Sequence, residues 1–332
     1  MTAMRRVVVY PGRIAVEAAD VPAPGPNEAL IRALVAGVCG SDLHAAHGRH
    51  PFVPLPYRPG HEVVGVIEAV GAAAGAWTPG QRVIVEPDLP CWTCKMCTTG
   101  RENLCENLQF FGCGYAQGGM ADYFTLPANR LHSVPDALDD NTAALIEPLS
   151  TPVHAVRLAG DVTGRSVAIL GAGTIGMFTL AVLRAHGAGK IVSTDPNLAK
   201  RQRAEALGAD VTIDARAPDL TGQVREALGG SADVVFDCVA VQSSVDQAIA
   251  IADKGGTVMV VGVPAGRSPF RCPSCRTIRS ASRGAPPTCP RTTPNRPACS
   301  AAAPSGPRTS SPPRDRSLKW PRHSSWLPRD ST

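Results

Sequence analysis

The chain has 332 residues, enough for two domains of ordinary size, and its net charge of +5 is unevenly spread. Residues 1–266 hold twenty basic and twenty-six acidic side chains, whereas Arg267 to Thr332 hold thirteen basic and two acidic ones. The mildly acidic main body argues against nucleic acid as a partner, and no apolar run approaches the ~20 residues of a membrane span. The start MTAMRRVVVYPGR lacks the apolar core of a signal peptide, so a cytoplasmic protein is expected.

Short β-branched runs separated by Gly and Pro fill the first 130 residues: Arg6–Tyr10, Ala29–Val35, Glu62–Val70, Gln81–Glu86 and Met120–Leu126. Such punctuation predicts an antiparallel barrel or sandwich. Two strand-end loops carry chemistry. GVCGSDLH supplies Cys39, Ser41, Asp42 and His44, and PGHEVVG supplies His61 and Glu62. Thiolate, imidazole and carboxylate suit zinc, and three protein ligands with one open position make a catalytic site. Each residue also has an ordinary alternative: Cys39 as a small buried hydrophobe, His61 as a turn residue. Asp42 is read either as the cap of a helix starting at Leu43 or as a hydrogen-bond acceptor for a metal-bound imidazole.

Next comes CWTCKMCTTGRENLC, placing Cys91, Cys94, Cys97 and Cys105 within fifteen residues. Four clustered thiols in a reducing compartment read as one tetrahedral metal site rather than as disulfides. An all-sulfur shell leaves no open position, so that metal is structural.

From Arg165 a strand leads into Gly171-Ala-Gly173-Thr-Ile-Gly176, followed by the helical MFTLAVLRAHG and by an apolar strand, Lys190–Thr194, that ends in Asp195. Strand, G-x-G-x-x-G, helix and a later acid form the dinucleotide fingerprint. The glycines let the backbone approach a pyrophosphate at the helix N-terminus. Asp195 would accept hydrogen bonds from the adenosine ribose and repel a 2′-phosphate, so NAD is expected over NADP. Further βα units follow: helix Ala199–Leu207, strands Val211–Ile213 and Val234–Phe236, helix Ser243–Ala252 and strand Thr257–Val261. That makes five strands of the six in a dinucleotide-binding sheet.

After Arg267 the composition breaks. Thirteen Pro, twelve Arg and twelve Ser crowd the last 66 residues, with only Ile278, Leu318 and Leu327 as branched aliphatics. Such a segment cannot bury enough apolar surface to offset its ordering entropy, and disorder is expected over 267–332. Cys272, Cys275, Cys289 and Cys299 are too irregularly spaced to read as a second zinc lobe.

Taken together, these pieces resemble the zinc-containing medium-chain alcohol dehydrogenases, in the polyol, butanediol and threonine dehydrogenase branch. GHEVVGVIEAVGAAA matches that family's zinc signature, with spaced glycines at Gly65 and Gly71, and the likeness runs from residue 1 to about 266. It implies α/β plus β architecture: a GroES-like β-barrel catalytic domain over 1–150, a doubly wound Rossmann domain over 151–266 lacking its last strand, and a crevice between them for the active site. It also implies two zinc ions per chain. Cys39 and His61 match catalytic ligands, Glu62 ligates or swings toward the metal, and Glu147 in ALIEPLSTPVHA stands at a further ligand position. Ser41 and His44 match a proton relay, and Ile175, Asp195 and Lys200 match NAD contacts beside Gly171, Gly173 and Gly176. The implied reaction passes hydride from a secondary alcohol, diol or polyol to NAD and leaves a ketone. Relatives assemble as homodimers or homotetramers.

In those relatives the chain goes on to a sixth strand and returns to the catalytic domain. Here the Arg/Pro/Ser-rich stretch looks like a GC-rich gene read out of frame from near residue 267. Two function classes therefore stand side by side, an active dehydrogenase and a truncated remnant that keeps its zinc ligands without activity.

Overall fold

Alternating apolar side chains build the amino-terminal half. The computed structural model describes residues 3–48, 50, 53–263 and 278–280, the last three by backbone alone, all within the compact unit Met1–Thr292. Strand β1 (Ala3–Tyr10) pairs antiparallel with β2 (Arg13–Asp20). Strand β3 (Glu28–Ala36) is followed by α1 (Gly40–Ala46), β4 (Val63–Val70) and β5 (Arg82–Val85). The two-residue strands β6 (Asp88–Leu89) and β7 (Gln109–Phe110) pair with each other around the short helix α2 (Lys95–Thr98). Then come β8 (Tyr123–Pro127) and β9 (Leu131–Ser133).

These strands form a five-stranded antiparallel sheet in the order β8-β3-β4-β5-β9. Its inner side chains Ile31, Ile67, Val83, Phe124 and Leu126 are buried in one core, which Phe111, just after β7, completes. Each such large apolar side chain contributes about 2 kcal/mol on burial. Strand β2 escapes sequence reasoning because its apolar residues face water: Ile14 and Val16 are 66% and 69% exposed.

Two consecutive helices, α3 (Asp140–Ala144) and α4 (Ile146–Ala159), leave this sheet. Ala143 and Ala144 pack with Val64 and Ile84 of the antiparallel sheet, whereas Ala155 and Val156 pack under the next one. Pro148 falls in the first turn of α4, where a missing N–H costs little.

The second sheet is wholly parallel. Its elements are β10 (Val167–Leu170), α5 (Thr174–Ala185), β11 (Ile191–Thr194), α6 (Leu198–Ala206) and β12 (Val211–Ile213). They continue through α7 (Leu220–Leu228), β13 (Ala232–Asp237), α8 (Gln242–Ile251) and β14 (Ala252–Val260). Period-two alternation distributes each strand to both faces: Val167, Ile169, Val234 and Phe236 join one core, while Ala168, Leu170 and Val235 join the other. Helices α4 and α5 cover the first face and α7 and α8 the second, which is why these strands read as continuous apolar runs.

The order β12-β11-β10-β13-β14-β15 is that of a dinucleotide-binding sheet. The sixth position, which the sequence expectation leaves vacant, holds a three-residue strand. This β15 (Ile278–Ser280) runs parallel to β14 with Val258 opposite Ile278. An edge ladder uses only main-chain groups, and Thr277–Ala285 is a proline-free stretch within an otherwise proline-rich segment. The remainder of the expected disordered tail, and Cys272, Cys275, Cys289 and Cys299 with it, lies outside the described residues.

Candidate active site

The register of the first sheet assembles the site. Ala36 at the end of β3 pairs with Val63 at the start of β4, and the pairing continues one step further as Gly37 N donates to the Glu62 carbonyl at 2.7 Å. Cys39, just beyond β3, therefore meets His61 and Glu62, just before β4. One donor atom from each of Cys39, His61 and Glu62 lies within 4.8 Å of the others. Gly37 leaves room for the Glu62 carboxylate, which a Cβ at that position would push aside.

His61 and Glu62 are buried, and the Phe110 and His61 rings meet edge-on, their centres 5.5 Å apart and their planes at 70°. His61 Nδ1 is buried with no hydrogen-bond partner among the described residues. A buried imidazole nitrogen without a partner is costly in a metal-free pocket and is the group a cation satisfies. Burial pushes the Cys39 thiol up to about 11, opposed by hydrogen bonds from Ser41, and burial also raises the Glu62 carboxyl, opposed by His61. A bound dication reverses both trends. Sulfur, nitrogen and carboxylate oxygen together form a borderline-soft donor set that fits zinc.

Cys39 is the N-cap of α1, so the helix starts three residues earlier than expected and Asp42 is its third residue, not its cap. The Asp42 carboxylate reaches back to the Cys39 N–H at 3.0 Å and accepts from the Tyr57 hydroxyl at 3.3 Å. It thereby fixes the loop that presents the thiol. Ser41 is half-buried beside Cys39, and His44 is exposed in the last turn of α1. His50, which sequence reasoning passed over, faces this group too. Burial lowers its pKa first, and His44 and His61 lower it further. The HAAHGRH spacing was its only signal. Glu147 is half-buried in the first turn of α4 and is not among the three converging donors.

The four-cysteine lobe is closed by the β6–β7 ladder. All four thiols are free, with Cys94 Sγ 3.5 Å from Cys97 Sγ and 3.9 Å from Cys105 Sγ. A disulfide requires about 2.05 Å, whereas sulfurs at the corners of a tetrahedron with 2.3 Å bonds stand about 3.8 Å apart. Main-chain N–H groups of Cys91, Glu106 and Asn107 point at these sulfurs, as thiolates require.

At the nucleotide end Gly171 has φ +93°, and a Cβ on Gly176 would collide with the Gly171 carbonyl. The first turn of α5 is thereby pressed against the strand exit, with Gly173 as its N-cap and Ile175 partly buried in the core below. Asp195, only 5% exposed at the end of β11, accepts from Ala172 N at 3.0 Å and from Asn197 N at 2.8 Å. Each oxygen uses one lone pair on the backbone and keeps another for a ligand hydroxyl. Lys200 Nζ lies 4.0 Å from the same carboxylate.

Residues 25–136 match the family described as alcohol dehydrogenase GroES-like domain, and residues 174–291 match zinc-binding dehydrogenase. The chain belongs to the zinc-containing medium-chain alcohol dehydrogenases. Among curated relatives, L-galactonate-5-dehydrogenase of Escherichia coli is 36% identical over 273 residues, covering 81% of this chain and 79% of the relative. Sorbitol dehydrogenase of Gallus gallus is 35% identical over 263 residues, covering 77% and 74%. A zinc-binding dehydrogenase from Sinorhizobium meliloti 1021, solved with NADP bound, superimposes with a TM-score of 0.77 at 34% identity, covering 82% and 80% of the two chains. The family supports zinc and a nicotinamide cofactor acting on a small alcohol. Among the described residues no helix is long and apolar enough to cross a membrane.

Proposed function

We propose that this chain oxidises a secondary alcohol, diol or polyol to the ketone with NAD as hydride acceptor, and catalyses the reverse. The observation that carries the proposal is the convergence of Cys39, His61 and Glu62, each on a strand-end loop, in a chain that also carries the Asp195 nucleotide turn. Cys39, His61 and Glu62 would hold the catalytic zinc, Glu147 is a further candidate ligand, and the four cysteines would hold a second, structural ion. A zinc ion at the first site supplies Lewis-acid polarisation of the substrate oxygen.

The chain's own groups supply placement and proton traffic. The Ser41 hydroxyl, beside Cys39, would take the alcohol proton at Oγ, and His44 at the exposed end of α1 would release it to water. Imidazoles are the side chains that exchange protons near neutral pH. Phe110, packed on His61, excludes water from one side. Polyol specificity is favoured by the sugar-acid and sugar-alcohol relatives.

NAD is favoured over NADP by the Asp195 carboxylate, which would accept hydrogen bonds from two ribose hydroxyls and repel a phosphate. The glycine turn of Gly171, Gly173 and Gly176 would take the pyrophosphate. We assign residues 1–150 to the catalytic unit and 151–266 to the nucleotide unit. A second reading, a frame-shifted remnant without turnover, is favoured by the compositional break at Arg267.

The experiment is a panel of diols, polyols and sugar acids with NAD and NADP on the purified chain. Turnover with a polyol and NAD supports the dehydrogenase. A folded, zinc-loaded chain without turnover on any of them supports the remnant.

A further inference from the structure

The turn that carries Asp195 is held from outside the glycine motif. Asp214, the first residue after β12, receives Arg216 through three donors: the main-chain N and Nε to Oδ1 at 2.9 and 3.0 Å, and Nη2 to Oδ2 at 2.9 Å. The same Arg216 Nη2 donates to the Pro196 carbonyl at 2.9 Å. On the inner side Arg201 Nη1 stands 3.3 Å from Asp214 Oδ2 and donates to the Asp195 carbonyl at 2.8 Å. One carboxylate thus anchors two guanidinium groups, and each of these grips one main-chain carbonyl of the Asp195-Pro196 step.

We propose that Asp214 is a positioning residue for the cofactor, setting the orientation in which Asp195 meets the adenosine ribose and so the preference for NAD over NADP. This rests on the reading of Asp195 as the ribose acceptor. Without Asp214, Arg201, whose side chain is 15% exposed, keeps a carbonyl contact but loses its counter-charge. Arg216, 72% exposed, becomes free to leave Pro196 and to meet a 2′-phosphate. Both losses loosen the same turn, and the second frees a cation beside it. Arg216 and Arg201 also hold the Asp214 carboxyl well below the usual carboxylate range, so the anchor is charged throughout the neutral range.

The test is fluorescence titration of the full-length chain with NADH and with NADPH, for wild type, Asp195→Ala, Asp214→Ala, Asp214→Asn and Arg216→Ala, with zinc content measured on each. Asp214→Ala is expected to bind NADH about tenfold more weakly, the factor one charge-assisted hydrogen bond supports. Its NADH-to-NADPH preference shrinks and its zinc content stays at the wild-type value. Asp214→Asn falls between, and Arg216→Ala, at an exposed position, shows a smaller loss in the same direction. A purely structural role would weaken both cofactors equally and leave the preference where it was, which overturns the proposal. NADH binding unchanged in Asp214→Ala and Arg216→Ala, with Asp195→Ala weakened, also overturns it while the ribose reading stands. If Asp214→Ala does not fold, Arg216→Ala decides, and unchanged binding there is a negative result. Wild-type affinity in Asp195→Ala, or no NADH binding by the native chain, defeats the ribose reading and the proposal together.

Discussion

Arg130 lies over the indole of Trp92, its Cζ 5.2 Å from the ring centre, and thereby ties the four-cysteine lobe to the antiparallel sheet. The arginine is itself held by Glu86 at 2.9 Å, and Glu86 also contacts His132 Nε2 at 2.9 Å. Trp92 sits between Cys91 and Cys94 with φ +61°, a conformation a bulky side chain adopts only where its surroundings impose it. Metal in the lobe is what would impose it. Stripping the lobe with a chelator is therefore expected to change tryptophan emission, and Trp92→Phe is expected to remove that change although Trp77, Trp320 and Trp326 remain. An identical chelator response in Trp92→Phe would separate the indole from the metal.

Gly37 and Gly176 set two close approaches, and each predicts a different loss. Gly37→Ala drives a methyl group into the Glu62 carboxylate and is expected to weaken zinc binding while NADH binding is spared. Gly176→Ala drives one into the Gly171 carbonyl and is expected to cost NADH affinity while zinc is kept. Overpacking of this kind costs about 1–3 kcal/mol, roughly a five- to 150-fold loss where it falls on the affected site. Zinc analysis and NADH titration on the two variants read the split.

Acid stability has a defined sign. Asp122 accepts from Arg5 N, Nε and Nη2 at 2.7, 3.2 and 3.0 Å, and the Arg5 guanidinium holds its carboxyl below the usual carboxylate range. A depressed native pKa means that the contribution is complete above the unfolded value of about 3.9 and is lost as pH falls through the native value. Asp122→Asn is thus expected to lower stability modestly at pH 7 and to differ less from wild type near pH 2. Denaturant curves at both pH values check this, and a gap undiminished at pH 2 would assign the effect to lost shape rather than charge.

What could be read from the sequence was what is local. The four cysteines, the G-x-G-x-x-G turn and the His61-Glu62 pair announce themselves because their geometry follows from spacing along one segment. Most predicted strands match to within a few residues, since their apolar periods are strong. Strand β2 and helix α7 were missed: β2 turns Ile14 and Val16 to water, and the amphipathic LTGQVREAL lies in a polar stretch. Phe110 against His61, Arg130 over Trp92 and Asp214 beneath Asp195 were invisible for another reason. Each joins residues far enough apart in sequence that only folding brings them together. Of the two alternatives for Asp42, the cap of a helix starting at Leu43 gives way to a shift in helix start, because Cys39, a poor capping residue by propensity, takes the N-cap with Asp42 reaching back to its N–H.

Zinc per chain, measured on wild type and on His61→Ala after exhaustive dialysis, is the most direct test of the central claim. Two ions are expected in the native chain and one in the variant, the survivor held by the four thiolates, with dehydrogenase turnover gone. Two ions retained in His61→Ala, or wild-type turnover without the lost one, would contradict the account.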